Sequence, residues 1–228
     1  MTLFYGKQLD ILQPEDGYRI SIDAILLAAS INTGCEILDV GSGVGTASLC
    51  LKKRQSNLEI TGVELQHINV ELARKNSQNN GLSIQFIQGD IRKDQLNKVF
   101  DHVISNPPFY EERKINKPTN QHKFLSNVLS EITLEQWLYF CIKHSNNYIT
   151  IIHLPEYLDR ILDVFSQNLG GIQIYPIFVN KQAKRIIIQG SKRKKTPLML
   201  HQGLILQDQL GYTKEAQEIL TGMRGIQL

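Results

Sequence analysis

Glu36-Ile-Leu-Asp-Val-Gly-Ser-Gly-Val-Gly45 decides how the rest of the chain is read. Glu36–Val40 reads as a short strand, and glycines at 41, 43 and 45 lead from it into a helix running through Leu51. Glycines at such a junction let the backbone turn tightly and let a ligand come close to it, in the crevice beyond the carboxyl ends of a parallel sheet. The scheme repeats outward. Glu59–Val63 predicts the next strand and Asn69–Gln78 its helix, stopped by Asn79-Asn80-Gly81. Ile84–Gln88, Val99–Ser105 and Tyr148–Leu154 predict further strands. Thr133-Leu-Glu-Gln136 has the capping-box pattern of a helix that carries Trp137, Leu138 and Cys141 on its apolar face. Strand alternating with helix predicts an α/β chain with a doubly wound, Rossmann-like parallel sheet.

The two ends of the chain differ in character. Ile172–Val179 and Arg185–Gln189 predict an antiparallel hairpin at the sheet edge, with Pro176 tolerated at a bulge or with its missing N–H facing outward. Tyr212-Thr213 opens a last short helix. Before Glu36, a strand pair is expected around Pro14–Gly17, then a helix over Ala24–Ser30 capped by Ser21 or Asp23. The polar stretch Tyr110–Ser130 reads as a loop.

Composition removes whole classes of function. Of 228 residues 42% are hydrophobic and 21% charged, enough apolar material for a core. No apolar run reaches the roughly 18 residues that span a bilayer, and Asp10 interrupts any signal-peptide pattern. Cys35, Cys50 and Cys141 are odd in number and widely spaced, which argues against disulfides and a cysteine metal site and fits a cytoplasmic chain. His67, His102, His144 and His153 show no metal-ligand spacing. The net charge is +3, unevenly spread. From Val164 to Gln207 there is no acid, and that stretch carries Lys181, Lys184, Arg185, Lys192, Arg193, Lys194 and Lys195. Such a block predicts either a phosphate-binding surface or a solvated hairpin tip.

Three further signals follow the glycine loop. Glu64 ends the second strand, where a carboxylate can accept hydrogen bonds from both hydroxyls of a ribose. Up to that point a dinucleotide and a methyl donor fit equally, although Thr46 breaks the dinucleotide GxGxxG spacing. Asp90 ends the third strand and can accept from the amino group of an adenine, although a helix-capping aspartate looks the same in sequence. Asn106-Pro107-Pro108-Phe109 follows the fourth strand directly. In this order the motifs resemble the class I S-adenosylmethionine-dependent methyltransferases that methylate planar nitrogens. The chemistry asks for such residues. An exocyclic nitrogen shares its lone pair with the ring, and two acceptors, the Asn106 side-chain oxygen and the Pro107 carbonyl, favour a pyramidal nitrogen whose lone pair points outward. The prolines hold that carbonyl and bring no competing N–H, and Phe109 offers a face for a stacked base.

NPPF serves adenine N6, guanine N2 and glutamine N5 alike, so the flanks must choose. Only 38 residues precede Asp39, and they do not read as the helical domain of a glutamine methyltransferase or the larger N-terminal domain of guanine-N2 enzymes. Arg19–Ala28 and Gly211-Tyr-Thr-Lys-Glu215 are similar to the bacterial tRNA1(Val) adenine-37 N6-methyltransferases, over about Gln8 to Leu220. The chain departs from that family at Asn120–Leu125, where an arginine-rich segment is replaced by NQHKFL. The resemblance implies S-adenosyl-L-methionine held by Asp39, Gly41, Gly43, Glu64, Asp90 and Asn106, with Asp23 covering its methionine end. It implies a target adenine held by Asn106, Pro107, Pro108 and Phe109, and the anticodon arm of a tRNA held by the seven bases. Residues 1–35 are then an extension over the cofactor site and residues 36–228 the methyltransferase domain, acting as a monomer without metal or membrane. A non-catalytic RNA-binding protein with a relic pocket and a Rossmann dehydrogenase are the readings from other classes.

Overall fold

The computed structural model describes residues 2–14, 21–93, 96–108 and 132–228. Its centre is a run of parallel strands: β3 (Glu36–Val40), β4 (Glu59–Glu64), β5 (Gln85–Gln88), β6 (Phe100–Ser105) and β7 (Ser145–His153). They lie side by side in the order β5-β4-β3-β6-β7. The chain therefore moves outward from β3 to β5, then returns to the other side of β3 for β6, the switch at which doubly wound sheets bind ligands.

Helices cover both faces. On one, α1 (Ile22–Ala29), α2 (Thr46–Arg54) and α6 (Lys214–Leu220) close a core containing Leu26, Ile37, Leu49, Ile104 and Ile187. On the other, α4 (Leu134–His144) and α5 (Leu158–Asn168) enclose Val103, Trp137, Ile151, Phe165 and Ile188. Successive residues of β6, and of the strand Gln182–Ser191, serve opposite cores, as the two-residue period of a strand buried on both faces requires. α3 (His67–Asn79) packs Val70 and Ala73 on Phe86 of β5. The capping box at Thr133 and Gln136 is formed, and Thr213 caps α6 by accepting from the Ala216 N–H at 3.2 Å. The 3-10 turn Pro155–Tyr157 and helix α5 are absent from the sequence reading, although Leu158, Ile161, Leu162 and Phe165 stand at the i, i+3, i+4, i+7 spacing of an amphipathic helix.

At the far side of β7 the sheet departs from expectation. β8 (Gly170–Val179) and β9 (Gln182–Ser191) form the predicted hairpin, but β9 inserts beside β7 and β8 is not the edge. Two short strands, β10 (Met199–Leu200) and β11 (Leu204–Asp208), pair parallel with β8, and β12 (Gly211–Tyr212) pairs with β11. Pro176 falls between the stretches of β8 that β10 and β11 occupy, where no ladder N–H is needed on that side. The hairpin turns on two residues, Asn180 and Lys181, both at positive φ, so Gln182–Lys184 belong to β9 and not to the connection.

The N-terminal strand pair also differs. β1 (Thr2–Phe4) and β2 (Leu9–Ile11) turn at Tyr5–Gln8, ahead of the expected Pro14–Gly17. Tyr5, Gly6 and Lys7 all take positive φ there, a conformation that residue types alone do not announce. Ser21 is the cap of α1, accepting from the Asp23 N–H at 3.2 Å. Leu9, Ile11, Ile25 and Leu26 lie in the same core as Ile37 and Leu49, so the first 35 residues and the sheet share one interior.

Two buried polar networks tie these parts together. The Asn76 side chain, fully buried on α3, accepts from the Leu12 N–H at 2.8 Å and donates to the Leu12 and Val44 carbonyls at 3.1 and 3.0 Å. It thereby imitates a strand partner for the N-terminal segment and holds the end of the glycine loop. Across the sheet, His102 on β6 meets the Thr33 carbonyl through Nδ1 (3.1 Å) and the Thr150 hydroxyl through Nε2 (2.7 Å), and Gln189 Nε2 donates to the same hydroxyl at 3.0 Å. A carbonyl only accepts, so Nδ1 carries a proton, and in the neutral ring Nε2 accepts from the Thr150 hydroxyl. Burial pushes its pKa down to about 4.

Asn76→Ala leaves a backbone N–H and two carbonyls without partners and is expected to cost about 2–4 kcal/mol in urea unfolding, with faster proteolysis of the N-terminal segment. For His102, the unfolded chain binds a proton below about pH 6.5 that the folded one refuses until about pH 4. Its contribution therefore falls with acidification, by about 2 kcal/mol between pH 7 and pH 5. His102→Gln should lack that component when unfolding free energies at the two pH values are compared.

Candidate active site

The register of the central strands sets the site. Val40, the last residue of β3, lies opposite Val63 of β4 and Ser105 of β6, and Glu64 lies opposite Gln88 of β5. Gly41, Glu64, Asp90 and Asn106, distant in sequence, therefore emerge along one edge of the sheet. The N–H groups of Gly41 and Ser42 both donate to the Val63 carbonyl, at 2.9 and 3.1 Å, which folds the glycine loop back over β4. Gly41 has φ 72°, and a Cβ there would lie 2.8 Å from Cζ2 of Trp137, so both conformation and space require glycine. Gly43, at φ 55°, is the opposite case: a Cβ there would meet nothing within 4 Å. The loop thus presents open backbone on that side, a cradle against which a ligand can lie.

Glu64 is fixed at the floor of this cradle. Its carboxylate accepts from the Gly43 N–H at 3.0 Å and the Gln66 N–H at 2.8 Å. Burial raises its pKa, while those two N–H groups and the Asn69 side chain pull the other way. Asp39, buried below the loop, accepts from the Ser48 hydroxyl at 2.6 Å. Burial pushes its carboxyl up to about 6, the Ser48 hydrogen bonds oppose this, and the nearby Glu64 charge adds to it. A positive group delivered to this edge would favour both ionised carboxylates.

Asp90 stands just beyond β5, at the rim of a cleft of about 170 Å³ walled by Val63, Ile87, Gly89, Ile91 and Phe140. Most of the lining side chains are apolar, and Gln88 and the Asp90 carboxylate add polar groups, which suits a flat heterocycle with an amino group. Arg92 already engages that carboxylate, its Nε at 2.9 and 3.1 Å and its Nη2 at 2.6 Å, and holds it below the usual carboxylate range. The Arg92 N–H also donates to Asp90 Oδ1 at 3.0 Å, so the residue caps its own turn as well as facing the cleft.

Asn106 follows Ser105 at the end of β6. Its Oδ1 is buried and has no hydrogen-bond partner among the described residues. Leaving a buried amide oxygen unpaired costs about 1–3 kcal/mol, a cost that a donor arriving with a ligand would remove. Pro107 is buried beside it and Pro108 half-buried. Phe109, the loop read over Tyr110–Ser130 and the departure at Asn120–Leu125 lie outside the described residues.

Asp23 and Arg185, expected in two separate roles, form one ion pair: Arg185 Nε donates to Asp23 Oδ2 at 2.9 Å, with the aspartate side chain only 3% exposed. The pair joins α1 to β9. The basic block is likewise rearranged, and the single basic surface expected from the sequence is not built. Ile186 of β9 lies opposite His153 at the carboxyl end of β7, whereas Ser191 lies opposite Tyr148 near its start. Lys181 and Lys184 therefore sit exposed on the motif side of the sheet, and Lys192–Lys195 sit at the other end, about 30 Å away along a ten-residue strand. There Lys192 Nζ donates to the Ser145 carbonyl at 2.8 Å, Arg193 Nη2 to Asn146 Oδ1 at 3.0 Å, and Lys194 Nζ lies 5.4 Å from the Tyr148 ring centre. A hairpin separates residues that are neighbours in the sequence.

Residues that the sequence reading passed over complete the site. Ser48 meets Asp39 from one turn into α2, Arg92 clamps Asp90, and Ser105 and Trp137 join the strand ends. Only Trp137 carries a sequence signal, as the single tryptophan and on the apolar face of its helix. No group of three potential metal ligands is found among the described residues, and no described helix is long and apolar enough to cross a membrane.

Comparison with known proteins agrees with this geometry. A tRNA1(Val) (adenine(37)-N6)-methyltransferase of Haemophilus influenzae (strain PittGG) is 36% identical over 119 residues, which are 49% of this chain and 51% of that protein. One from Glaesserella parasuis is 29% identical over 156 residues, 66% of this chain and 63% of that one. The chain thus spans about half the length of the first of these relatives and somewhat more of the second. The crystal structure of a predicted O-methyltransferase, protein Atu636 from Agrobacterium tumefaciens, covers 90% of this chain and 99% of its own with a TM-score of 0.73, at 21% identity, and shows the shared fold. The family model of the methyltransferase small domain matches residues 19–162, a stretch that holds the glycine loop, Glu64, Asp90 and Asn106–Pro108, and the protein belongs to that family.

Proposed function

We propose that the protein transfers a methyl group from S-adenosyl-L-methionine to N6 of an adenine in tRNA, with adenine 37 of tRNA1(Val), the target named for its relatives, as the model substrate. The observation that carries this reading is the buried Oδ1 of Asn106 at the carboxyl end of β6, which has no partner among the described residues. An amino group brings the missing donor. The cofactor fits the residues present: the open backbone at Gly43 and the Glu64 carboxylate suit its ribose, and the cleft beside Asp90 suits its adenine. Asp39 and Glu64 supply negative charge to balance its cationic end. When bound, it supplies a methyl group on a positively charged sulfur, open to attack by a nitrogen lone pair.

The chain's own work is positioning. Asn106 Oδ1 and the Pro107 carbonyl accept the two amino hydrogens of the target and turn its lone pair toward the donor. Phe109 is assigned the stacking face. No side chain has to remove a proton first, because the nitrogen becomes acidic once methylated and then releases its proton to water. Lys181 and Lys184, exposed on the motif side, are assigned to the RNA backbone, where phosphate contacts orient the base without reading sequence. The Asp23–Arg185 pair holds the N-terminal helix over the same side.

Incubation with labelled donor and RNA lacking the modification tests the reading: label should appear as N6-methyladenosine in tRNA. Label as N2-methylguanosine in ribosomal RNA, or in protein glutamine, would overturn the substrate. Asn106→Ala should lower turnover by about a hundredfold or more, as loss of a group aligned to the reacting centre does, with donor affinity within about twofold. Lys181→Ala and Lys184→Ala should each weaken RNA binding and reduce its salt slope by about one. With burial pushing Asp39 up to about 6, affinity for S-adenosylhomocysteine should fall as pH drops through 6 and recover above it, and Asp39→Asn should weaken that dependence.

A further inference from the structure

The mechanism above leaves one buried polar arrangement unused. The Trp137 Nε1–H donates to Ser105 Oγ at 2.9 Å, and the Ser105 hydroxyl donates in turn to the Val40 carbonyl at 2.7 Å. Ser105 is fully buried and Trp137 is 6% exposed. Every polar atom of this relay is matched: one indole donor, one hydroxyl used both ways, one carbonyl. The three residues belong to three separate elements. Val40 is the last residue of β3 and leads into Gly41, Ser105 is the last residue of β6 and leads into Asn106, and Trp137 lies on α4.

The indole also has a steric role. A Cβ on Gly41 would lie 2.8 and 3.0 Å from Cζ2 and Cη2 of Trp137, so the ring supports the glycine loop from below. One side chain therefore touches the loop assigned to the methyl donor and, through Ser105, the residue next to the acceptor assigned to the methyl-receiving nitrogen. β3 and β6 are paired along the sheet, but their ladder ends at Val40 and Ser105, and no ladder pair joins the two loops beyond it. The relay is a further tie across that point.

We propose that Trp137 and Ser105 are positioning residues that set Asn106 against the glycine loop, fixing the distance and angle between the two reacting groups. The proposal rests on the N-methyltransferase reading. A misplacement of about 1 Å at a reacting centre costs on the order of a hundredfold in rate, so a tie that controls part of that distance acts on the transfer step and little on donor affinity.

The experiment is single-turnover methyl transfer on unmodified tRNA with the full-length protein in excess, alongside calorimetric binding of S-adenosylhomocysteine. Ser105→Ala and Trp137→Phe should each slow transfer by about tenfold or more, with the binding constant within about twofold. Ser105→Thr, which keeps the hydroxyl, should retain most of the rate. If Ser105 acts through Asn106, then Ser105→Ala added to Asn106→Ala should slow transfer by less than about twofold further. Wild-type rates in both single variants, or losses that multiply in full in the double variant, would overturn the proposal. Wild-type protein that methylates no RNA would instead overturn the function. In that event Trp137, the only tryptophan of the chain, still reports: its emission should change on titration with S-adenosylhomocysteine, differently in Ser105→Ala, and an unchanging emission would overturn the placement as well.

Discussion

Val40 stands level with Val63 on one side and Ser105 on the other, and the site depends on that alignment of three strand ends. A shift of β6 by one residue would turn Ser105 away from Trp137 and carry Asn106 to the opposite face, since strand side chains alternate. The register is held by burial on both faces, where Val103 and Ile104 enter opposite cores. It is held also by Asp101, whose carboxylate accepts from the Cys35 and Glu36 N–H groups at 2.9 and 3.1 Å and so ties the start of β3 to β6. Apolar packing selects the face and hydrogen bonds select the position along it.

The polar groups buried in this protein fall into two kinds. His102, Thr150 and Asn76 are fully matched and, with Gln189 Nε2, hold separate parts of the chain together. Asp39, Glu64 and Asn106 are incompletely balanced: two carboxylates with raised pKa values and an amide oxygen without a donor. These three stand together near the carboxyl ends of β3, β4 and β6, although buried unpaired atoms also occur elsewhere among the described residues, at Asp10 Oδ1 and Arg54 Nε. Unbalanced burial of this sort costs stability in the free protein, and cationic or hydrogen-bond-donating ligands would relieve it.

Charge is where linear reading and folded arrangement part most clearly. Seven bases within an acid-free stretch look like one surface. A ten-residue strand between them sends Lys181 and Lys184 to the motif side and Lys192–Lys195 to the opposite end, and an ion pair with Asp23 draws Arg185 inward. Proximity in sequence becomes distance whenever the intervening residues are extended, because each adds more than 3 Å.

The sequence by itself determined the layered fold and the order of its motifs, because alternation of short apolar runs with helical periods is a local property. It also located Gly41, Glu64, Asp90 and Asn106 at strand ends, since strand ends are marked by glycine, acid and proline where apolar runs stop. It could not show that Asp90 is clamped by Arg92, that Ser105 and Trp137 join two loops, or that Asn76 pairs with the backbone at Leu12. These are contacts between side chains whose partners the chain brings together only through packing. The N-terminal turn at Tyr5–Gln8 and the strands beyond β8 escaped for a related reason. They are two to five residues long, too short for a period of their own, and they form only because a larger surface is there to receive them.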